Sequence, residues 1–328
     1  MADAAISLRS SMIGRLGLLQ RILPTLLIFA GFAAYEPNVA SAGNLWNIAV
    51  QTSYLALFTL GQVVVLLTAG LDLSIGLTVS YVSVASALTM TQFIDNPALA
   101  LAVFLVSGLL IGIVIGAFNG FFVAVVNINP FVVTLASFNI LLALSSTITD
   151  GFPVSGFPPN FSRLLVDAEI LGIPVPIVII AILLAAVAVL LNRTVFGRSL
   201  YLIGSNRRMA FTAGINVKLH LLGAYVLCSA LAAIGAVLLT ARAGSGEPNI
   251  GGSLALETIA AAVIGGARLR GGEGGVFSAI AGALFITVLS NGMNLARIDG
   301  YIQQLCIGAI IVLSLIVDRL SHGSSRSS

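Results

Sequence analysis

Two carboxylates lie within long apolar segments of this chain, where an ionisable group is a candidate for function. Asp72 follows Gly70-Leu71, and Glu257 lies near the outer end of a predicted membrane span. A carboxylate at the centre of a bilayer costs about 2.5–3.5 kcal/mol on insertion scales, and such groups often mark solute or ion pathways. Structural roles are the competing interpretation, because Asp72 can cap a helix that begins at Leu73 and Glu257 can lie at the membrane interface.

Amide side chains are more numerous than carboxylates in the same apolar segments. They are Gln51, Gln62, Asn119, Asn139, Asn291, Asn294, Gln303 and Gln304. Amides at membrane depth either hold helices together or line a wet path. As a set they suit a neutral polyhydroxylated solute, which needs donors and acceptors but no counter-charge. The candidate translocation path therefore comprises Asp72, Asn119, Asn139, Glu257, Asn291, Asn294 and Gln303.

The sequence lacks the motifs of common enzyme sites. It has no G-x-x-x-x-G-K-[ST] loop, and its one lysine, Lys218, lies outside the glycine-rich stretches. The stretch 265–275 is either a tight turn on the inner side or a phosphate-binding loop. No histidine lies at membrane depth, since His220 and His322 are at or beyond the ends of apolar segments. We therefore expect no enzyme activity, no metal and no cofactor in this chain.

Composition places the chain in the membrane. Hydrophobic residues make up 58% of it and charged residues 8%, with a mean hydropathy of +1.09. A soluble domain carries about a quarter charged residues. Apolar runs of about 20 residues recur without period-2 alternation, which indicates membrane-spanning helices and not a barrel. The fold class is therefore an all-α integral membrane protein. Cys228 and Cys306 lie inside apolar runs and are predicted to be small core residues, not a disulfide.

Ten apolar segments are predicted to be transmembrane helices. They cover residues 22–36, 47–69, 74–92, 98–125, 131–148, 174–192, 219–240, 254–267, 275–295 and 302–319. The eighth is short, and the stretch 70–76 is either a connection or a break within one longer element. This divides the chain into a cytoplasmic segment 1–21, a transmembrane domain 22–320 and a disordered tail 321–328.

The distribution of basic residues predicts the orientation. With the N-terminus in the cytoplasm, twelve of the fifteen basic residues lie inside, and only Arg163, Arg242 and Arg297 lie outside. This bias follows the positive-inside rule and places both termini in the cytoplasm. The first apolar run is either an uncleaved span or a signal peptide, and cleavage would leave the orientation of the remaining spans unchanged. The proline-rich outer loop 150–173 is a candidate gate or docking surface.

A weak internal repeat relates the fourth and fifth spans to the ninth and tenth. Asn119-Gly120 lies near the end of the fourth span and Pro130-Phe131 starts the fifth, while Asn291-Gly292 and Gly300-Tyr301 hold similar positions in the later pair. The two pairs would run in opposite directions through the membrane. An inverted repeat of this kind is a common plan for transporters with a central pathway.

The largest inner loop, 192–218, carries five basic residues and no acid. A membrane protein with such a loop and no chemistry of its own is expected to be driven by a partner that docks on the loop.

Several ordered motifs resemble one family. Gly70-Leu71-Asp72-Leu73-Ser74-Ile75-Gly76 resembles its G-[IL]-D-L-S-[VI]-G motif, and Asn119-Gly120 with 130–135 is similar to its N-G…P-F-[IV]-V-T-L stretch. The loop from Phe196-Gly197-Arg198 to Val217 resembles its F-G-R…I-G-x-N…S-G-I-x-V pattern. This is the ribose-type permease family of bacterial ATP-binding-cassette sugar importers, and the resemblance covers roughly residues 45–320.

The resemblance implies partners and a coupling site. In this family two permease subunits, as homodimer or heterodimer, form the pore in the inner membrane, a cytoplasmic ATPase subunit hydrolyses ATP, and a periplasmic binding protein delivers the sugar. A short coupling helix fits a groove on the ATPase, and here it maps to about residues 206–214. The implied coupling residues are Asn206, Arg207, Arg208, Met209, Ala210 and Gly214. The family often has acidic or alanine residues where this chain has Arg207 and Arg208, which predicts an ATPase groove with complementary acids.

The predicted function is therefore the membrane subunit of an importer for a sugar or related small polyhydroxylated solute. Two other readings are open, an ion-coupled secondary transporter and a membrane scaffold that transports nothing. The sequence does not choose among a pentose, a hexose and a polyol.

Overall fold

The computed structural model describes residues 22–158, 161, 165–166 and 168–323. The predicted segment 1–21, Arg163 and residues 324–328 of the predicted tail lie outside this part of the chain. The helices are α1 (Ile22–Tyr35), α2 (Ala42–Leu67), α3 (Ile75–Thr91), α4 (Pro97–Ala124), α5 (Pro130–Thr147), α6 (Val175–Arg193), α7 (Val195–Ser205), α8 (Arg207–Thr212), α9 (Val217–Ala243), α10 (Leu254–Ile264), α11 (Val276–Leu295) and α12 (Gly300–Gly323). A 3₁₀ turn (Pro37–Ala40) follows α1, and the hairpin β1 (Glu169–Ile170) and β2 (Ile173–Pro174) precedes α6.

Within the described residues, six helices are long and apolar enough to cross a membrane: α2, α4, α5, α6, α9 and α11. Shorter apolar helices, α1, α3, α10 and the apolar part of α12, occupy the remaining predicted segments. The all-α membrane class is therefore confirmed, while the number of crossings stays a prediction. The 11 residues of α10 make a helix about 16 Å long, which is too short for a hydrocarbon core about 30 Å thick.

A stripe of glycines brings α4 against α9 at the centre of the bundle. The glycines are four residues apart and lie on one face of α4: Gly108, Gly112, Gly116 and Gly120. A Cβ added at Gly116 would lie 2.6 Å from the carbonyl oxygen of Tyr225, so the two backbones are in direct contact. Small residues in such stripes are how membrane helices gain packing energy.

The connection between α2 and α3, residues 68–74, is not helical, and we call it the first break. Its backbone is bonded to distant parts of the chain: the Leu71 carbonyl accepts hydrogen bonds from the Tyr225 hydroxyl (3.3 Å) and the Thr134 hydroxyl (3.4 Å). The first break connects two helices that run in opposite directions. Its Leu71 carbonyl has hydrogen-bond partners inside the protein, which is what a backbone group surrounded by hydrocarbon requires.

The connection between α9 and α10, residues 244–253, is a second break that lies along α3. The Glu247 amide donates to the Ser83 hydroxyl and the Gly251 amide to the Ser80 hydroxyl, each at 3.0 Å. The Gly251 backbone then touches that of Gly76 at the start of α3. Ser83 lies seven positions after Gly76 in the helix, so this segment runs about 10 Å along α3 before α10 begins.

The packing of α10 on α11 fixes the position of Glu257. Gly265 lies against the backbone of Ser278, and Gly282 lies against that of Ala261, which makes the helices antiparallel and very close. This register puts Glu257 opposite Ile286, about 15 Å from the start of the 20-residue α11. Glu257 therefore lies level with the middle of α11, not with its outer end.

We expect Gly282→Ala to destabilise the protein by about 1–3 kcal/mol, because the new Cβ would collide with the backbone of Ala261. Thermal unfolding in mild detergent measures the change. Gly308→Ala is the matched control, since a Cβ there meets nothing within 4 Å and alanine is the better helix former. Equal unfolding temperatures for the two variants would contradict the α10–α11 register.

Candidate functional site

A short helix, α8, lies where the resemblance placed a coupling helix. The Asn206 side chain caps it by accepting a hydrogen bond from the Met209 amide (3.0 Å), and Gly214 follows it with φ 81°. Ala210 is buried and anchors the helix, whereas Met209 and Phe211 are 67% and 73% exposed. The helix therefore holds two large apolar side chains away from the bundle.

A groove of about 820 Å³ adjoins α8. It is lined by Arg207, Arg208, Phe211, Gly214, Ile215, Asn216, Val217 and Lys218. Three of these residues are cationic and none is acidic. We call Arg207, Arg208, Met209, Phe211 and Lys218 the α8 surface. Exposed apolar anchors among charges of one sign are typical of a docking surface for an oppositely charged partner.

Backbone contacts join the end of α7, which leads into α8, to the end of α2 just before the first break. The Leu67 carbonyl at the end of α2 accepts a hydrogen bond from the Gly272 amide (3.0 Å), and Gly204 at the end of α7 packs on both residues with no room for a Cβ. The Tyr201 hydroxyl donates to the Gly274 carbonyl (2.9 Å). Burial raises the pKa of the Tyr201 phenol, so it stays protonated and keeps this bond at neutral pH. The backbones of Leu67, Gly204 and Gly272 therefore form one contiguous contact, which we call the glycine junction.

The glycine-rich loop 265–275 is a turn in the structure. Gly271 and Gly272 have φ values of 83° and 77°, a left-handed backbone that favours glycine. Their amides bond to protein carbonyls, and Arg268 forms an ion pair of 2.6 Å with Glu273. These contacts favour the turn over a phosphate-binding loop.

Asp72 is fully buried at the end of the first break. Its Oδ1 accepts hydrogen bonds from the Ser74 amide (2.9 Å) and the Ser74 hydroxyl (2.6 Å), so it satisfies an amide at the start of α3. The helix begins at Ile75 with Ser74 as its N-cap, so the prediction that Asp72 caps a helix beginning at Leu73 is wrong. Asp72 instead bonds the residue that precedes the helix and holds it in place. Its Oδ2 has no hydrogen-bond partner among the described residues, and the Cys228 thiol lies beside the carboxyl.

Asn119 extends this polar cluster across three helices. Its Nδ2 donates to the Ser74 hydroxyl (2.8 Å), and its Oδ1 accepts a hydrogen bond from the Ser137 hydroxyl. All these side chains are buried. Asn119 therefore holds α3, α4 and α5 together, which is the helix-joining alternative for an amide at membrane depth.

The other predicted path residues fall into separate places. Asn291 forms a reciprocal pair of 2.9 Å hydrogen bonds with Asn44 between α11 and α2, and it is also buried. Asn139 is exposed on α5 and bonds only to its own helix, through the Leu135 carbonyl. The structure therefore does not bring the predicted set together as one surface.

Glu257 and Gln303 line a cavity of about 380 Å³ between α10, α11 and α12. Its walls are Gly252, Ser253, Leu256, Glu257, Ser290, Gly300, Gln303, Gln304, Ile307 and Gly308, and we call it the α10–α12 cavity. Gln303 donates to the Asn294 side chain (2.8 Å) and the Ile298 carbonyl (3.0 Å). Asn294 thus supports a cavity wall.

Sequence reasoning missed the hydroxyls that receive the second break. Ser80 and Ser83 are buried on α3 and lie more than 160 positions before the amides that they bind. Ordinary serines in an apolar helix give no sequence signal of such a contact. The period of three residues, Ser80-Ser83-Ser86, is the one hint that this face of α3 is polar.

The fold and these sites define an α-helical protein with membrane-spanning apolar helices, an exposed basic and apolar helix, α8, and buried polar clusters. The family described as branched-chain amino acid transport system / permease component matches residues 44–315, and the chain belongs to this permease family.

Similar proteins have been named for sugar transport. The D-allose transport system permease protein of Escherichia coli (strain K12) is 33% identical over 90% of this chain and 89% of its own length. The ribose import permease protein of Bacillus subtilis (strain 168) is 33% identical over 92% and 94%, respectively, and the galactose/methyl galactoside import permease protein of Escherichia coli (strain K12) is 34% identical over the same shares. The resemblance to ribose-type permeases is thereby confirmed. No solved structure matches the chain.

Asn119→Leu should lower the stability by about 1–3 kcal/mol, because the buried Ser137 hydroxyl loses its acceptor and the Ser74 hydroxyl loses the bond that it accepts, keeping only its bond to Asp72. Thermal unfolding of the purified protein measures the loss. Asn139→Leu makes the same substitution on the exposed face of α5 and should change the unfolding temperature little. A destabilisation by Asn139→Leu as large as that by Asn119→Leu would contradict the assignment of Asn119 to helix packing.

Proposed function

We propose that this chain is the membrane permease subunit of an ATP-binding-cassette importer that moves a neutral sugar or a related polyhydroxylated solute. The relatives named for allose, ribose and galactose support the solute class. The α8 surface is the observation that carries the proposal, because the sequence has no nucleotide-binding loop and yet presents an exposed basic and apolar helix. Hydrolysis of ATP would take place on a separate subunit.

The ATPase subunit would bind the α8 surface from the cytoplasm. Met209 and Phe211 would enter an apolar pocket, and Arg207 and Arg208 would face acidic groups around it. Movement of α8 would then reach α2 through the glycine junction, where backbones touch without intervening side chains. Segments that are packed in this way move as a rigid unit. Their movement would rock the helices on either side of the translocation path.

The remaining partners follow from the same proposal. A periplasmic binding protein would deliver the solute to the outer loop 150–173, where the side chain of Leu171 is 98% exposed between β1 and β2. A second permease subunit, identical or different, would complete the pore in the bacterial inner membrane. The inverted repeat predicted between the fourth and fifth spans and the ninth and tenth, here α4 with α5 and α11 with α12, is part of this proposal.

An ion-coupled transporter is the alternative function, and Asp72 is the observation that favours it. A buried carboxylate with one oxygen lacking a partner can bind a proton or a cation during transport. The two functions differ in their need for a partner ATPase.

Co-purification tests the importer. The tagged subunit, solubilised in mild detergent, should bring down a protein with an ATP-binding loop, and replacement of residues 207–210 by glycine and serine should abolish this recovery. Reversing both charges, Arg207→Glu with Arg208→Glu, should weaken the association at least about tenfold, because it removes the complementarity to an acidic groove.

Arg193→Glu with Arg198→Glu is the matched control, since it reverses two charges of the same basic loop outside α8. It should leave the association close to that of the unaltered protein. Equal effects of the two double variants would show that overall loop charge, and not the α8 surface, attracts the partner.

A further inference from the structure

The α10–α12 cavity contains polar groups that nothing in the described chain satisfies. The side chains of Ser253, Glu257, Ser290 and Gln304 line it and form no hydrogen bond or ion pair with the described residues. Unpaired polar groups that face hydrocarbon cost several kcal/mol each. Since Glu257 lies level with the middle of α11, a helix long enough to cross a membrane, we infer that the cavity is wet or filled.

The start of α10 shapes the cavity. The second break ends at Ser253, and Glu257 lies in the first turn of α10, where the helix dipole favours a negative charge. A helix that starts inside the bundle after an unwound segment is typical of solute sites in transporters. Here the two features occur together with a cavity whose volume lies in the range of ligand sites.

The chemistry of the walls selects the ligand. A carboxylate accepts hydrogen bonds from hydroxyl groups, and the Gln304 amide and the two serine hydroxyls can both donate and accept. Among the residues that the structure describes, no basic side chain lines the cavity, so an anionic group would meet Glu257 without compensation. The walls therefore suit a neutral polyol and disfavour a sugar acid, a sugar phosphate and an anionic lipid headgroup.

We propose that the α10–α12 cavity is a water-accessible subsite for the neutral polyhydroxylated solute, and that Glu257 excludes anionic solutes from it. This inference rests on the proposed function and adds the place where the solute contacts this chain. The cavity could instead be filled by a second copy of the chain or by a lipid acyl tail. Either occupant would keep water out of the cavity.

Cysteine modification tests the subsite without relying on transport. Ser290→Cys introduces a thiol into the cavity wall, with Cys306→Ala removing the half-buried native thiol, while Cys228 is fully buried. A cationic methanethiosulfonate reagent should react about tenfold faster than an anionic one of equal size, because the nearby carboxylate concentrates cations. Adding Glu257→Gln should bring the two rates close together.

Asp95→Asn is the matched control, because it removes an exposed carboxylate from the α3–α4 connection and should leave the rate ratio unchanged. Equal rates for the two reagents before Glu257→Gln, or a thiol that reacts with neither, would overturn the subsite. The second result would mean that the cavity is covered by protein or lipid.

Protection by solute completes the test in vesicles that contain the permease, its ATPase and its binding protein. D-ribose, D-allose and D-galactose are the probes, and the transported one should slow modification of the Ser290→Cys thiol several-fold. ATP-driven uptake without any protection would refute the subsite and leave the proposed function standing. Failure of uptake for all three sugars would instead refute the sugar importer, whatever the reagents show.

Discussion

The structure depends on one constraint, that backbone amides and carbonyls inside a membrane must be bonded within the protein. The two breaks meet it by different means. The first break uses side chains of α5 and α9 for the Leu71 carbonyl, whereas the second uses the Ser80 and Ser83 hydroxyls of α3. Each solution requires very close packing, and glycine stripes supply it. Non-helical backbone at this depth is therefore evidence for a protein-lined interior and not for a disordered loop.

The same contacts connect the α8 surface with the α10–α12 cavity. The glycine junction ties α7 to the end of α2, the first break continues to α3, and the start of α3 touches the second break at Gly76 and Gly251. All these contacts are between backbones, so they leave little room for independent movement. A partner that moves α8 would act on the second break, which leads into α10 and so into the wall around Glu257. The proposed importer needs such continuity, since its energy source and its solute bind to different places.

The sequence predicted the helices well and the polar contacts poorly, for a physical reason. Long apolar runs and asparagine caps are local signals, and all ten predicted segments contain an apolar helix; the short helix α8 also lies where the resemblance placed it. The pairing of Asn291 with Asn44 joins residues 247 positions apart, and nothing local distinguishes it from the exposed Asn139. Glu257 lies near the end of its own helix as the sequence predicts, but the second break, which sets α10 level with the middle of α11, has no hydrophobic signature.

Solute uptake into proteoliposomes is the most direct test of the central claim, that ATP on a partner drives a neutral sugar through this chain. The permease, its co-purified ATPase and the binding protein would be reconstituted, and uptake of labelled D-ribose, D-allose and D-galactose would be measured with ATP, with ADP and with a proton gradient alone. The account predicts uptake of at least one sugar that requires ATP and persists in the presence of an uncoupler. Uptake that needs no ATPase and collapses with the uncoupler would contradict it.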